Sequence, residues 1–518
     1  MAGCHCCDAA PPVTHREGPL LSNDVPHDIG RKYDTIAYAA QSNALSHPVH
    51  MATVAVLFGL TPPPPSNCRV LEVGCSDGSN LLPMAISLPD AKLVGCDLSG
   101  HAIGLARMTA DELGIANVTL LQRDLDALSD DAGTFDYIIA HGVYSWVPAA
   151  VRDALLELAT KRLAPNGVMF LSYNTFPGCH VRQAAWRILH RHVDRIAEPR
   201  ARLDAARALA VLLAEPGVAQ TETDGLLRQE FRKIATQTDS ALFHDDLGVP
   251  NDPVYFGDFV AHLATHGLTY LAESKVSMMT GAGLSPAVVQ YVSAMDRLTR
   301  EQYLDYARFR RFRQSLVCHA DAPIGSGHVD ARVASMHVAA SMALVRAAAE
   351  GKTFAGEAEP ADPNQRATRK ILRWLVTEAP RVVSIADVIE WHRANSAEDA
   401  SVARSVGTLV AEAFYAGTVD LYVQPPPLAS VAGARPSASR LVRWQAARGA
   451  TVTNLRHETL RMDDPAALRL LTLLDGIRSR DELAPLWLPE QWANQPDAAR
   501  AQLDTALSHF AMHGLLIA

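Results

Sequence analysis

Two acidic side chains and a glycine-bearing loop lie in the first quarter of the chain, each at the end of an apolar segment. The first segment, Val70–Val73, runs into Gly74-Cys75-Ser76-Asp77-Gly78, while Asp97 and Asp124 follow the next two segments. A strand that enters a helix through a tight turn leaves N–H groups at the helix start, and glycine lets a ligand approach that backbone. Ligands of open α/β sheets bind at the carboxyl ends of adjacent strands, so this pattern predicts a nucleotide-type cofactor site.

The spacing within the loop separates two kinds of cofactor. A dinucleotide site needs three glycines, the middle one against the pyrophosphate, and Gly74 with Gly78 does not fit that spacing. S-adenosylmethionine (SAM) has no pyrophosphate, so a small residue such as Ser76 suffices between them. The loop therefore favours SAM, with S-adenosylhomocysteine as the product.

The two aspartates are placed to bind the nucleoside part of such a cofactor. Asp97 is predicted to accept hydrogen bonds from both ribose hydroxyls, each charge-assisted bond contributing roughly 1.5–3 kcal/mol. Asp124 is predicted to accept from the adenine amino group, with Leu125 packing on the ring. Each aspartate alone is equally well explained as a solvated turn or a helix cap, but the set in this order favours a ligand site.

Alternating strand and helix patterns position these residues. Strands separated by helices of this length require a parallel sheet with helices on both faces, and two later strands are predicted to complete it. The fold class is therefore α/β, with a Rossmann-like seven-stranded sheet, a helical insertion and a mainly helical, winged-helix-like C-terminal region. The predicted strands are 68–73, 92–96, 118–122, 135–140, 167–174, 268–276 and 313–319, and the predicted helices between them are 80–87, 100–113 and 148–163.

Turn signals and composition divide the chain into five parts. A helical pattern is expected over 33–60 and again up to Ala349, and the basic-aromatic stretch Arg308–Arg313 is expected to anchor Phe309 and Phe312 while its arginines stay solvated. The parts are a flexible tail at 1–28, a SAM-binding core at 29–175, a helical insertion or regulatory region at 176–265, late strands at 266–320, and a C-terminal domain with two winged-helix-like units at 321–518.

Composition excludes several function classes. The chain has 518 residues and a formal net charge of −9, which argues against a general nucleic-acid binder because such proteins need a clustered basic face. No apolar run approaches the roughly 18 residues of a membrane helix, and the N-terminus is charged where a signal peptide would be apolar. We therefore expect a cytoplasmic protein without membrane insertion, and leave a homodimer open.

The eight cysteines fall into two groups. The cluster Cys4-His5-Cys6-Cys7 offers soft ligands, but no second pair follows at matching spacing, so no metal site is predicted. The dispersed group is expected to be buried thiols in a reducing compartment and comprises Cys68, Cys75, Cys96, Cys179 and Cys318.

Several longer motifs resemble a known family. The loop with Asp97 and Asp124 resembles class I SAM-dependent methyltransferases. Residues 140–147 (AHGVYSWV), 172–178 (SYNTFPG) and 251–259 (NDPVYFGDF) resemble more narrowly the bacterial methyltransferases that carry a methyltransferase regulatory domain. That family includes rickettsial protein-lysine methyltransferases that modify outer-membrane proteins. The resemblance covers roughly residues 33–319 and, more weakly, the C-terminal region.

Residues after the fourth and fifth strands are best placed to contact a methyl acceptor. His141, Tyr144 and Trp146 follow strand four, and Tyr173 and Asn174 follow strand five. Aromatic faces guide an amine and hold the methylated cation by cation–π attraction of roughly 0.5–2 kcal/mol. His141 is equally well explained as a residue that contacts the cofactor, and Trp146 as part of the hydrophobic core. His47 is a weaker candidate for the acceptor site. The cofactor-binding candidates are Glu72, Gly74, Cys75, Ser76, Gly78, Asp97, Leu98, Asp124, Leu125 and His141.

The acceptor is less well determined than the donor. The first hypothesis is methyl transfer to a protein or peptide, on a lysine amine that must lose its proton because its free pKa is about 10.4. The alternatives are an O-, N- or S-methyltransferase for a small molecule or modified peptide, and a regulator that binds SAM without turnover. Gln41–Leu45 and Cys179 depart from the family pattern near the acceptor entrance, so sequence does not separate these cases.

Overall fold

The computed structural model describes residues 36, 38, 40–125, 133–216, 221–325, 328–354, 360–395, 405–488 and 495–518. For residues 222 and 223 it describes the backbone alone. The predicted tail at 1–28 and the cluster Cys4-His5-Cys6-Cys7 lie outside the described residues.

The central element is a seven-stranded mixed sheet. Its strands are β1 Arg69–Val73, β2 Lys92–Asp97, β3 Val118–Gln122, β4 Phe135–Ala140, β5 Leu163–Asn174, β6 Leu268–Glu273 and β7 Phe312–His319. Their order is β3-β2-β1-β4-β5-β7-β6. The first five run parallel, and β7 is antiparallel to both β5 and β6. The predicted fold class is confirmed, and the two late strands complete the same sheet.

The strand order reverses next to β1. Because β1 pairs with β2 on one side and β4 on the other, the chain leaves a crevice at the carboxyl ends of β1 and β4, where open α/β sheets bind ligands. In β4 five of the six residues are buried, as expected of a strand covered on both faces. The glycine loop follows β1 and His141 follows β4, so both lie at this crevice.

Among the described residues of 33–60, the α-helix is shorter than the predicted helical pattern. A 3-10 turn, Ala44–Ser46, precedes it, and the α-helix begins at Pro48. Proline lacks an N–H and suits the first helical position but not a helix interior. His47 caps the helix, since its Nδ1 accepts from the Val49 N–H at 3.2 Å. The helices of the core are α1 Pro48–Leu57, α2 Leu81–Ser87, α3 Gly100–Glu112 and α4 Ala149–Arg162.

A helical segment follows β5, in agreement with the pattern at 176–265. Its helices form a hydrophobic cluster of their own around Leu189, Leu203 and Phe231. A short turn at Asp239–Ala241 and a π-helical turn at Leu242–Asp246 precede its last helix. The helices from β5 to β7 are α5 Cys179–Val193, α6 Pro199–Ala214, α7 Glu222–Ala235, α8 Phe256–Thr265, α9 Pro286–Ser293 and α10 Arg297–Arg308.

The basic-aromatic stretch is oriented opposite to our expectation. Phe309 and Phe312 are 46% and 38% exposed, whereas Arg313 is fully buried. Phe309 takes a left-handed conformation, with φ of 49°, at the end of α10. The turn directs Arg313 into the sheet, where it forms ion pairs with Glu273 and Asp305, both at 2.8 Å. The expectation of solvated arginines is therefore wrong here, because buried carboxylates provide the partners.

The C-terminal region contains a three-stranded sheet and a hairpin. The strands are β8 His337–Ala340, β9 Val383–Ser384, β10 Val419–Tyr422, β11 Thr451–Thr453 and β12 Thr459–Arg461. β8 interrupts the stretch predicted as helical up to Ala349, because antiparallel pairing with β10 overrides the helix propensity of its alanines. The helices are α11 Val329–Val333, α12 Met342–Ala349, α13 Pro363–Glu378, α14 Ile385–Asn395, α15 Val406–Tyr415, α16 Arg440–Ala446, α17 Pro465–Leu473, α18 Arg480–Trp487 and α19 Pro496–Met512.

Within the part of the chain that the structure describes, no helix is long and apolar enough to cross a lipid bilayer.

Candidate active site

The loop after β1 has a strained backbone that the end of β2 holds in place. Gly74, Ser76 and Gly78 have positive φ of 70°, 50° and 76°. For Ser76 this conformation costs of order 1–3 kcal/mol, and such strain is concentrated at ligand sites. The Ser76 N–H donates to Asp97 Oδ2 at 2.9 Å, and the Gly74 N–H donates to Cys96 O at 2.8 Å. The loop and Asp97 therefore form one unit.

The two aspartates lie at the ends of adjacent strands, as predicted. Asp97 Oδ1 accepts from the Ser99 N–H at 2.8 Å, and Asp124 Oδ1 accepts from the Leu125 N–H at 2.6 Å. Asp97, Leu98, Asp124 and Leu125 are all half-buried. Their side chains are thus partly accessible at the edge where a nucleoside would lie.

Cys75 has a packing role within the same loop. Its side chain is 3% exposed and fills the space beside Gly95 of β2, where an added Cβ would come within 2.8 Å of Sγ. Burial raises the thiol pKa well above its usual range. The side chain of Cys75 therefore helps to shape the loop, and a bound ligand would contact only the backbone of this residue.

Glu72 is a buried carboxylate that lacks one hydrogen-bond partner. Its Oε1 accepts from Asn80 Nδ2 at 2.7 Å, whereas Oε2 has no partner among the described residues. Burial is the largest cause that raises its pKa, to about 8, and the bond from Asn80 acts in the opposite direction. A cationic group beside Oε2 would relieve this cost. SAM carries an ammonium and a sulfonium, so the residues present fit it.

Asn80 connects this carboxylate to the C-terminal region. Its Oδ1 accepts from the Asn43 N–H and from His457 Nε2, both at 2.8 Å. His457 lies in the turn between β11 and β12, is 4% exposed and has a φ of 63°. Neither Asn80 nor His457 was among the site residues predicted from the sequence. The one sequence signal for Asn80 was its position as a polar residue directly before the apolar helix α2.

His47 packs against His457 of the C-terminal region and against Ser87 of α2. Its ring centroid lies 5.0 Å from that of His457, and its Nε2 lies 3.1 Å from Ser87 Oγ. Burial lowers the pKa of His47 to about 3. A neutral helix cap is thus the role that these contacts support.

His141 follows β4 and is held by Ser172 of β5. Its Nδ1 lies 2.8 Å from Ser172 Oγ, which also accepts from the Gly142 N–H at 2.7 Å. The ring packs edge-on to Phe170 and Phe312 at centroid distances of 5.8 and 6.5 Å. Burial lowers its pKa to about 4, so the imidazole is neutral near pH 7. It adds no positive charge at the carboxyl end of β4.

Two of the aromatic candidates lie beneath the rim of the crevice. Tyr173 stacks on Phe259 at 4.2 Å, and Tyr144 meets Phe259 edge-on at 5.4 Å. Tyr144 and Tyr173 are only 2% and 1% exposed. The Tyr144 hydroxyl lies 2.7 Å from His262 Nδ1 on α8. These contacts support positioning roles for Tyr144 and Tyr173, because neither ring is open to a ligand in this structure.

Trp146 and Asn251 are the half-buried residues of the rim, and the buried Asn174 supports them from below. Trp146 is half-buried and lies against Gly248, where an added Cβ would come within 3.2 Å of its ring. Asn174 Nδ2 donates to Asn251 Oδ1 at 2.8 Å, and its backbone N–H donates to Ser145 Oγ at 2.8 Å. The segment from Gly248 to Asn251 thus closes on the ends of β4 and β5. Asn251 belongs to the family motif but was not among the candidates.

The five dispersed cysteines are buried free thiols, as predicted. Cys179, at the start of α5, donates from Sγ to Arg311 O at 3.1 Å.

Comparisons with known protein families assign three parts of the chain. Residues 70–167 match the model of a methyltransferase domain, and residues 238–319 match that of a predicted methyltransferase regulatory domain. Residues 434–495 match the C-terminal winged helix domain of PKMT.

Two relatives come from Rickettsia prowazekii (strain Madrid E), and both are uncharacterized proteins. One is 36% identical over 294 residues, which are 56% of this chain and 53% of that protein. The other is 34% identical over 229 residues, which are 44% of this chain and 92% of that protein. The chain belongs to the SAM-dependent methyltransferases with a methyltransferase regulatory domain. It spans about half the length of the first relative and nearly all of the second.

The solved structures agree with this methyltransferase assignment at the level of the fold. PKMT2 from Rickettsia typhi superimposes with a TM-score of 0.79 at 23% identity, covering 93% of this chain and all of that one. The same protein in complex with AdoHcy gives a TM-score of 0.77 at 24% identity, with the same coverage. The similarity therefore extends beyond the SAM-binding sheet to the helical and C-terminal regions.

Proposed function

We propose that this protein transfers a methyl group from SAM to a lysine amine of a protein or peptide. The observation that carries this proposal is the shared fold with PKMT2 over 93% of the chain, which includes the winged helix region named for PKMT. A methyltransferase for small molecules needs only an enclosed pocket beside the sheet. The additional helical and winged-helix regions favour a larger acceptor.

The chain's own residues provide cofactor binding and alignment. Glu72 and the loop 74–78 would hold the methionine end of SAM, Asp97 the ribose hydroxyls, and Asp124 with Leu125 the adenine. When bound, SAM supplies an electrophilic methyl group, so the protein must mainly orient the acceptor and exclude water.

The rim residues suit an amine acceptor. Trp146 presents a half-buried ring that can attract an ammonium or methylated ammonium by cation–π interaction. His141 is neutral because burial lowers its pKa to about 4, so it does not repel an incoming cation. Asn251 is half-buried and accepts a hydrogen bond from the buried Asn174 at 2.8 Å, so its amide group is held where it can orient the amine or the backbone of a peptide.

Transfer of tritiated methyl from SAM to a cell lysate tests the proposal. We expect label in the protein fraction, recovered as methylated lysine after acid hydrolysis. Label recovered in the small-molecule fraction alone would contradict the lysine assignment, and tight SAM binding without any label would favour a non-catalytic regulator. Asp97→Ala serves as the variant that should lose labelling, and Asp90→Ala, in an exposed turn, is its matched control.

The location and the absence of a nucleic-acid acceptor stay predictions. A cytoplasmic location is expected from the sequence patterns alone, and no nucleic-acid acceptor is expected because the net charge is −9, while a homodimer stays open. Sedimentation of the purified chain would test the homodimer, and the RNA fraction of the same labelled lysate would test the nucleic-acid prediction.

A further inference from the structure

Asp153, His262 and His266 form a cluster on the outer side of the aromatic residues beneath the rim. His262 lies in α8 and His266 directly follows it, so the two imidazoles are four residues apart and share one face. Asp153 comes from α4. Its Oδ1 lies 2.7 Å from His262 Nε2 and 3.5 Å from His266 Nε2. One ligand atom from each residue lies within 4.8 Å of the other two.

The two helices hold this cluster at a fixed separation. Thr160 Oγ1, near the end of α4, donates to the carbonyl oxygen of His266 at 2.6 Å. His262 is held from its other side, because Nδ1 lies 2.7 Å from the Tyr144 hydroxyl. The side chains of Asp153, His262 and His266 are 59%, 23% and 20% exposed. The cluster is therefore both anchored and open to solvent.

The donor set matches one class of ion. Two imidazole nitrogens and one carboxylate oxygen suit divalent transition metals, and for Zn²⁺ three protein ligands with one open position are a common arrangement. Ligand bonds of about 2.0–2.2 Å require the donor atoms to lie a few ångströms apart, as they do here. We propose that Asp153, His262 and His266 bind a divalent transition metal, with Zn²⁺ as the best match.

Metal binding would exchange the donor and the acceptor in the hydrogen bond between His262 Nδ1 and the Tyr144 hydroxyl. A metal on Nε2 of His262 requires a lone pair there, so its proton must sit on Nδ1 and be donated to the Tyr144 oxygen. Without metal, Nε2–H can donate to Asp153 while Nδ1 accepts from the Tyr144 O–H. Tyr144 begins the turn that carries Ser145 and Trp146, which connects the metal site to the rim.

Cobalt and zinc titrations of the full chain test the site. Cys4, Cys6 and Cys7 are replaced by serine in every sample so that these thiols do not compete. We expect one equivalent of Zn²⁺ by equilibrium dialysis, and a Co²⁺ spectrum without a thiolate charge-transfer band. Absence of stoichiometric binding, or a thiolate band, would overturn the proposal.

Variants assign the ligands. His262→Gln and His266→Gln are each expected to lose the bound equivalent, and His266→Gln also keeps the Tyr144 contact and should fold normally. His509→Gln is the matched control. His509 and His513 form another pair four residues apart, with ring centroids 4.4 Å apart, and among the described residues no carboxylate completes a three-ligand group with them. Equal loss in His509→Gln would contradict the assignment.

A second measurement tests the connection to Tyr144. Removing a partner that orients a metal-bound histidine usually weakens metal affinity by about 10- to 100-fold, so we expect a loss of this size in Tyr144→Phe. Unchanged affinity would disprove the link between Tyr144 and the metal. Both titrations are made without SAM or acceptor, so their results are independent of the proposed methyl transfer.

Discussion

His457 Nε2 lies 2.8 Å from Asn80 Oδ1, across 377 residues of sequence. An amide oxygen only accepts hydrogen bonds, so the imidazole is the donor, and Asn80 in turn donates from Nδ2 to Glu72 at 2.7 Å. A turn of the C-terminal region is thereby bonded to the carboxylate beneath the cofactor loop. We infer that the C-terminal region helps to keep the SAM site in its binding geometry.

Replacing His457 tests this coupling. His457→Ala removes a buried hydrogen bond worth about 0.5–1.5 kcal/mol, and we expect SAM to bind about 3- to 10-fold more weakly by isothermal titration. His457→Gln keeps an N–H donor and should restore part of the affinity. His509→Gln, an exposed histidine of the same region, is the control, and equal affinities in all three variants would exclude the coupling.

Asp97→Ala is expected to weaken SAM binding more strongly. The substitution removes the acceptor predicted for the ribose hydroxyls and also releases the Ser76 N–H, bonded at 2.9 Å. One lost charge-assisted bond of roughly 1.5–3 kcal/mol corresponds to a Kd about 10- to 150-fold higher. Isothermal titration against Asp90→Ala measures this difference, and an unchanged Kd would rule out the ribose role.

Glu72 makes the stability of the SAM-free protein depend on pH. Its pKa rises from 4.5 to about 8 on folding, mainly because of burial. Between these values the folded chain holds a proton that the unfolded chain has lost, so the contribution of Glu72 to stability falls as pH rises. Glu72→Gln cannot ionise and should lack this contribution.

Thermal unfolding of the two proteins from pH 5 to pH 8 checks this sign. We expect the Tm of the unsubstituted chain to fall relative to that of Glu72→Gln as the pH increases. Parallel Tm curves would show that Glu72 titrates normally in the folded chain. The comparison between variants cancels the titration of groups that do not interact with Glu72.

Arg313 is expected to be essential for stability. It is fully buried and forms ion pairs with Glu273, Glu301 and Asp305 at 2.8–3.2 Å. Arg313→Met would leave Glu301 without its cation and Glu273 and Asp305 with only the longer contacts to Arg310, at 3.5 and 3.2 Å. Breaking a buried pair in this way costs about 3–5 kcal/mol. Urea unfolding measures the loss.

An exposed ion pair provides the control for Arg313. Arg461 pairs with Asp463 at 2.8 Å, and their side chains are 78% and 73% exposed. Pairs of this kind contribute about 0–1 kcal/mol, so Arg461→Ala should unfold nearly as the parent does. A loss in Arg313→Met no larger than in Arg461→Ala would contradict the role of the buried network.

Local patterns were sufficient to predict the sheet and to place the candidate donor residues at one edge of it. Strand Val118–Gln122 and strand Phe135–Ala140 have the predicted bounds, because long apolar runs between turn residues leave few alternatives. The loop 74–78 and Asp97 were predicted as one site, since parallel strands bring their carboxyl ends to the same edge. Donor chemistry depends on residues close to each strand end, and these are visible in the sequence.

Contacts between distant segments could not be predicted in this way. Arg313 is buried because Glu273, Glu301 and Asp305 surround it, whereas its own neighbours in sequence suggested a solvated position. Strand His337–Ala340 forms in an alanine-containing stretch because Val419–Tyr422 provides a partner strand.

The sequence by itself therefore determined the fold class, the cofactor loop and the choice of SAM, all of which depend on short-range spacing. The tertiary structure alone decided that His457 bonds to Asn80, that Tyr144 and Tyr173 lie beneath the rim, and that Asp153 meets His262. The physical reason is that hydrogen bonding and burial depend on which surfaces meet in the folded chain, and residue spacing carries little information about pairings between segments so far apart.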